Sequence, residues 1–288
     1  MTVAHLFAGQ GSQRVGMGAE LLATYPNLVR QADDALGYSV ADLCLNGPAE
    51  RLADTRFTQP AIYVVDALAY LDAVRRTGVI PDVVAGHSLG EYAALFASGA
   101  FDFRTGLEIV ARRAALMADA GPGTMAAVIG LDESTVRDVL AAEGGDVDLA
   151  NLNAPDQIVV SGGAEDVHRV SKALTAQAAT VVPLPVSGAF HSRGMRPAAE
   201  RFGHFLNGYV FGRLKIPVIA NATAQPYGDH EIRDLLCRQL WSPVRWTDTV
   251  HHLLTLPDPD LREIGPGNVL TGLTRRIRAA REAAPASS

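Results

Sequence analysis

Apolar residues along this chain follow two rhythms, one of parallel-sheet type and one of a smaller alternating kind. Val3 to Phe7 is a short run of strand formers stopped by Gly9 and Gly11, and it predicts a first strand. Helical spacing follows, clearest from Ala61 to Arg76. There Ile62, Val65, Leu68, Ala69 and Val74 recur close to one face, and Gly78 with Pro81 ends the segment. Asp82 to Ala85 reads as a buried strand, followed by a Gly-rich turn and an apolar helix from Glu91 to Ser98. A further amphipathic helix is expected over Thr105 to Ala120. Strand, tight turn and helix in that order predict a mostly parallel sheet covered by helices.

Near Gly121-Pro122-Gly123 the pattern changes. Met125–Gly130 reads as a strand, Glu133–Glu143 as a helix, and Asp148–Leu152 and Gln157–Ser161 as two strands joined by a turn over 153–156. Ala164–Gln177 is a second helix and Thr180–Leu184 a further strand. That β-α-β-β-α-β order is the ferredoxin-like arrangement. The fold class expected is therefore α/β: a large parallel-sheet domain, residues 1–121 plus 188–288, with an inserted ferredoxin-like subdomain over 122–187. Arg281 to Ser288 is Ala-, Pro- and Ser-rich and is expected to fray.

Composition narrows the classes. The 288 residues are 48% hydrophobic, enough to bury a core, so disorder is excluded as the main state. A formal charge of −6 argues against a nucleic-acid partner, which needs a net basic face. No apolar run approaches the roughly 18 residues of a membrane-spanning helix, so no membrane partner is expected. The opening MTVAHLFAGQGSQ has no basic stretch followed by an apolar one, so no signal peptide is expected. Cys44 and Cys237 match no metal or CxxC spacing; two unpaired thiols and a cytoplasmic location are expected, with no metal site.

Gly86-His87-Ser88-Leu89-Gly90 fits G-x-S-x-G, and its flanks supply the strand and helix that a nucleophile elbow requires. The glycines let backbones approach, and the Leu89 N–H, opening the helix, can face a developing oxyanion. A serine needs a base, and eight histidines compete. His87 adjoins the serine on a tight turn, where neighbours usually point apart. His168, His251 and His252 look like ordinary helix residues. His191 lies in a small-residue loop where the chain returns from the inserted subdomain, a place that commonly walls a cleft. Position alone leaves it either a base or a structural histidine. An acid partner cannot be chosen by spacing, since thirteen Asp and Glu lie between Ser88 and His191. On the helix 105–120, Arg113 borders the apolar stripe of Leu107, Val110, Ala114 and Met117, while Arg112 points away. An arginine there needs a partner, and both a structural ion pair and a substrate carboxylate would serve.

Four segments then occur together and in order: Phe7-Ala8-Gly9-Gln10-Gly11-Ser12-Gln13, Gly86-His87-Ser88-Leu89-Gly90-Glu91-Tyr92, Gly188-Ala189-Phe190-His191-Ser192 and Gly265-Pro266-Gly267-Asn268-Val269-Leu270. In these the chain resembles the malonyl-CoA:acyl-carrier-protein transacylase family, which includes the acyltransferases of polyketide synthases. The resemblance runs from Val3 to about Ile277. It implies a hydrolase-like α/β domain carrying a ferredoxin-like subdomain. It also implies Ser88 as nucleophile, His191 as general base, and the Gln10 and Leu89 backbone amides as oxyanion hole. It aligns Gln239 with a residue whose main-chain carbonyl orients the histidine, Arg113 with a malonyl-binding arginine, and His87 and Phe190 with the substrate site. Phe190 resembles malonyl-selective members, in which a bulky ring crowds an α-substituent. Ala8, where the family often has proline, and Ala114, where glycine commonly follows the arginine, depart from the pattern without removing a functional atom.

The activity so implied is malonyl transfer from malonyl-CoA to the phosphopantetheine thiol of an acyl carrier protein, through an acyl-serine and without cofactor. A free-standing monomer serving polyketide synthesis is expected, with fatty-acid synthesis as the alternative pathway. The rivals are a thioester hydrolase editing carrier proteins, a catalytically idle docking module and an ordinary esterase. Carrier docking would need a locally basic patch, and Arg275, Arg276, Arg278 and Arg281 form one candidate. Their position in the last turns of a helix, where cations favour the dipole, explains them equally.

Overall fold

Two sheets organise the chain, whose structure, a computed structural model, describes residues 1–186, 188–228 and 230–283. The strands are β1 (Thr2–Phe7), β2 (Val83–Gly86), β3 (Thr124–Ile129), β4 (Val147–Ala154), β5 (Gln157–Gly162), β6 (Thr180–Pro183), β7 (Val218–Ile219) and β8 (Pro259–Ile264). The first sheet has order β7-β2-β1-β8, with every neighbouring pair parallel. Helices cover both of its faces, so the central strands β1 and β2 are largely apolar and buried, while the edge strand β8 is half-buried and carries Asp260, Arg262 and Glu263. Leu6, Val83 and Ala85 pack on Trp246, Val250, Leu270 and Ile277. Phe7 and Val84 pack on the opposite side, in a core shared with Tyr63, Leu95 and Leu107.

Register sets the location of the site. Phe7 lies opposite both Gly86 and Ile264, so the chain leaves β1, β2 and β8 side by side at their carboxyl ends. Open parallel sheets bind ligands in the crevice outside those ends. Here the three exits carry Gln10, Ser88 and the Gly265-Pro266-Gly267 turn.

The helix predicted from Ala61 begins earlier, at Thr55, and runs to Thr77. Asp54 caps it, its carboxylate accepting from the Arg56 N–H at 2.9 Å. Pro60 sits inside its second turn. Ala61 to Leu68 are all buried, beneath the helices Gly90–Ser98 and Phe103–Ala118. The apolar stripe begins only at Ile62, and Thr55–Pro60 is mostly polar with a proline, so periodicity misses the helix start. The C-terminal helix, Val269–Ala283, likewise continues through Arg281, where fraying was expected; residues 284–288 of that tail lie outside the described residues. Among the described residues no helix is long and apolar enough to cross a membrane.

The second sheet has order β4-β5-β3-β6 and is antiparallel, with the helices Glu133–Glu143 and Ala164–Ala176 packed on one face. That is the ferredoxin-like order, carried by residues 124–183. Its β4 meets the large domain directly: the Leu152 N–H donates to the Val244 carbonyl and the Val244 N–H to the Ala150 carbonyl, both at 2.9 Å. Arg276 adds a second fastening through Asp156, at 2.8 Å, and Gln157, at 3.0 Å.

Candidate active site

Gly86, Ser88 and Gly90 form a turn tight enough that each glycine is obligatory. A Cβ on Gly86 would lie 1.9 Å from the Gly90 carbonyl carbon, and one on Gly90 2.1 Å from the Phe7 oxygen. Ser88 is held at φ 52°, in the left-handed region, which a non-glycine residue adopts at a cost of about 1–3 kcal/mol. Two side chains hold that conformation. The Ser88 N–H donates to Asn221 Oδ1 at 2.7 Å, and its carbonyl accepts from Gln239 Nε2 at 2.9 Å. Asn221 is fixed in turn by donating to the Gly86 carbonyl at 2.6 Å.

The Ser88 hydroxyl reaches His191 Nε2 at 2.7 Å, across 103 positions of sequence. On the other side of the ring, Nδ1 lies 2.8 Å from the main-chain oxygen of Gln239. A carbonyl only accepts, so Nδ1 carries the proton, Nε2 has a free lone pair, and Ser88 donates to it. His191 is itself at φ 58°, with its N–H on the Leu240 carbonyl at 3.1 Å. Burial, then the nearby Arg113 charge, lower the His191 pKa from 6.5 to about 3, so the ring is neutral and ready to accept a proton.

Arg113 is 1% exposed, on the buried side of the helix Phe103–Ala118, while Arg112 lies in solvent with its guanidinium 5.8 Å over the Phe205 ring. The Arg113 fork is held by neutral acceptors: Nη1 on Gln59 Oε1 at 2.5 Å, and Nη2 on Gln239 Oε1 at 3.0 Å and Ser88 Oγ at 3.1 Å. Its Nε has no partner. Among the described residues no carboxylate makes an ion pair with it. A buried guanidinium held by neutral acceptors beside the Ser88 hydroxyl is a candidate anion site. Gln59 also donates to Thr55, which donates to Gln10, so the same network steadies the turn after β1.

A cavity of about 110 Å³ opens on these groups, walled by Gln10, His87, Leu89, Met117, Met125 and Phe190 among others. Among the described residues, the Gln10 and Leu89 amides donate to no other protein group. His87 lies in the wall, its Nε2 2.8 Å from Asn153 Oδ1 of β4, and burial lowers its pKa. The small sheet therefore completes the pocket. Larger grooves elsewhere, such as one of about 510 Å³ along β8, contain no paired nucleophile and base.

Residues 4–277 match the acyl transferase domain. The chain belongs to the acyl transferase family. It is similar to the polyketide biosynthesis malonyl CoA-acyl carrier protein transacylase BaeC of Bacillus velezensis, with 47% identity covering 99% of each chain. With the malonyl CoA-acyl carrier protein transacylase of Escherichia coli it shares 41% identity over 95% of this chain and 92% of that one. Among solved structures, the malonyl CoA-acyl carrier protein transacylase from Burkholderia pseudomallei superposes with a TM-score of 0.95 at 42% identity, covering 99% of this chain and 100% of that one. A malonyl-transacylase solved in complex with a type II polyketide synthase acyl-carrier protein gives a TM-score of 0.92 at 39% identity, over 96% and 93% of the two chains.

In this acyl transferase, Ser88, His191, Arg113, His87, Phe190, Gln10 and Leu89 all line one cavity, and Gln239 touches three of them. Sequence reasoning missed Gln59, Asn221 and Glu91. Gln59 lies upstream of the predicted helix start; Asp54, a capping residue four positions ahead of Thr58, was the available signal. Glu91 reads as an ordinary first-turn acid, yet it is 1% exposed and burial pushes its pKa up to about 7. Asn221 follows a strand of two residues, too short for any periodic signal.

Proposed function

We propose that this chain transfers a malonyl group from malonyl-CoA to the phosphopantetheine thiol of an acyl carrier protein in polyketide synthesis. The observation that carries the reading is Arg113: a buried cation with no carboxylate partner among the described residues, 3.1 Å from the Ser88 oxygen. Ser88 Oγ attacks the thioester carbonyl while its proton passes to His191 Nε2. The oxyanion faces the Gln10 and Leu89 amides, and the malonyl carboxylate takes up the Arg113 fork. CoA leaves as the thiol, receiving the proton from His191. The carrier thiol then gives its proton to His191 and attacks the ester, and the departing Ser88 oxygen takes that proton back from His191. Only these side chains and the two thiols take part, so the reading needs no metal or organic cofactor. The small cavity and the Phe190 ring in its wall support an unbranched acyl group. Two free thiols, Cys44 and Cys237, support a cytoplasmic enzyme. Polyketide synthesis is favoured by the relative of that name at 47% identity.

Labelled malonyl-CoA with and without a carrier protein tests this. Label on Ser88 and then on the carrier is the expected result, with none taken up by Ser88→Ala. Free malonate without carrier labelling would make the chain a hydrolase, and no labelling at all a docking module.

A further inference from the structure

We propose that Glu91 is a positioning residue: its carboxylate fixes which way round the Gln239 amide lies and, through that amide, aims the Arg113 fork. The inference rests on the malonyl-transfer reading for the substrate, though not for the geometry. Glu91 stands one layer behind the reacting atoms, in the first turn of the helix Gly90–Ser98. Three donors converge on its two oxygens. The Tyr227 hydroxyl, at 2.5 Å, and the Asn221 N–H, at 3.2 Å, meet Oε1, and Gln239 Nε2 meets Oε2. Each partner donates, so the position suits an acceptor-only group.

Gln239 is the link. Its Nε2 donates to Glu91 and to the Ser88 carbonyl, while its Oε1 accepts from Arg113 Nη2 at 3.0 Å. An amide turned over keeps its shape and reverses its chemistry. The reversed Gln239 would set an NH₂ against the guanidinium and an oxygen against the Ser88 carbonyl. Glu91 excludes that arrangement because it can only accept. A glutamine at 91 cannot. With its oxygen kept toward Tyr227 and Asn221, its NH₂ faces the Gln239 NH₂; turned the other way, its NH₂ faces Tyr227 and Asn221. One donor-against-donor contact is unavoidable, among residues that are all buried.

Orientation outweighs charge in this role. Burial raises the Glu91 pKa; the hydrogen bonds from Tyr227, Gln239 and Asn221 oppose that rise, each by more than the Arg113 charge does. Losing the donors' acceptor therefore matters more than losing a distant counter-charge. The charged and titratable groups facing Glu91 are Tyr227 from the segment after β7, Arg113 from the helix Phe103–Ala118, and Tyr92 beside it.

The test compares wild type with Glu91→Gln, using malonyl-CoA and acetyl-CoA as donors and melting temperature as the check on folding. Malonyl kcat/KM is expected to fall about ten- to a hundredfold, chiefly through KM, and acetyl kcat/KM by less than about threefold. Equal losses on both donors, or none on malonyl, would overturn the proposal. A second measurement needs no malonyl transfer: protection of Ser88 by free malonate against an uncharged sulfonyl fluoride, at one pH. Wild type is expected to be protected at about ten- to a hundredfold lower malonate than Glu91→Gln, with the unprotected inactivation rates alike. Equal protection of the two proteins, or none, overturns the proposal. Wild type that transfers no malonyl yet is protected at lower malonate than Glu91→Gln refutes the functional reading alone.

Discussion

Arg113→Ala separates carboxylate recognition from acyl transfer, because the fork touches Ser88 and two glutamines but no acid. In the free enzyme its three hydrogen bonds go to Gln59, Gln239 and Ser88. A malonyl carboxylate adds a charge-assisted bond or a bidentate pair, worth roughly 1.5–3 kcal/mol each and more out of water. At about 1.4 kcal/mol per decade, malonyl kcat/KM should fall roughly ten- to 150-fold or further. Acetyl-CoA never uses the clamp, so its kcat/KM should change by less than about threefold and can rise as the cavity enlarges. Both are read from acylation of Ser88 under single-turnover conditions, with a melting curve to show that the variant folds. Arg112→Ala is the control: equally cationic and adjacent, but exposed over Phe205, it should leave both donors unchanged. Parallel losses for malonyl and acetyl in Arg113→Ala would make Arg113 a structural residue and remove the main support for the functional reading.

Three further outcomes are expected. His191 has its pKa lowered to about 3, so it is the competent neutral base throughout the working range; in the Glu91→Gln background, acylation should show no His191 limb between pH 5 and 8, and a limb at 6 to 7 would contradict the buried geometry. Gly90→Ala places a Cβ 2.1 Å from the Phe7 oxygen, against backbone that cannot yield; it should cost about 1–3 kcal/mol or more in denaturant unfolding, while Gly272→Ala, with open space inside the helix Val269–Ala283, should cost nothing. Asp66 is fully buried, both its oxygens lack partners, and a Cβ on Gly265 would fall 1.9 Å from one of them. Burial raises its pKa well above 3.8, so its contribution is fully present below the unfolded pKa and is lost as pH rises through the window up to the folded pKa. The stability of wild type relative to Asp66→Asn should therefore decline from pH 4 toward 8, by up to about 1.4 kcal/mol per pH unit, and a flat difference would show that the carboxyl is paired.

Much of the fold was legible because it is local. The strand-turn-helix at Ser88 and the β-α-β-β-α-β run are each set by spacing and turn residues within a few dozen positions. What escaped the pattern was the start of the helix Thr55–Thr77: Thr55 to Pro60 is mostly polar and carries a proline, so no apolar stripe marks it. Gln59 went with it, although it holds the Arg113 fork.

The amino-acid sequence by itself singled out Ser88 as the candidate nucleophile, since the elbow glycines and the flanking strand and helix lie beside it in the chain. It also placed Arg113 on the apolar side of its helix, by geometry that needs nothing distant. It could not choose His191 from eight histidines or find an acid partner: among the described residues no carboxylate bonds to the ring, which is oriented by the Gln239 main-chain oxygen. A carbonyl is the same in every residue, so no side-chain pattern can announce it. Only the tertiary structure decided that choice, by closing a gap of 103 positions from Ser88 and 48 from Gln239 onto one imidazole. The same folding turned Glu91 from a surface-like helix acid into a buried acceptor for Gln239. The reason is common to both: chemistry that depends on which groups face one another across the core is set by packing, and packing is not local.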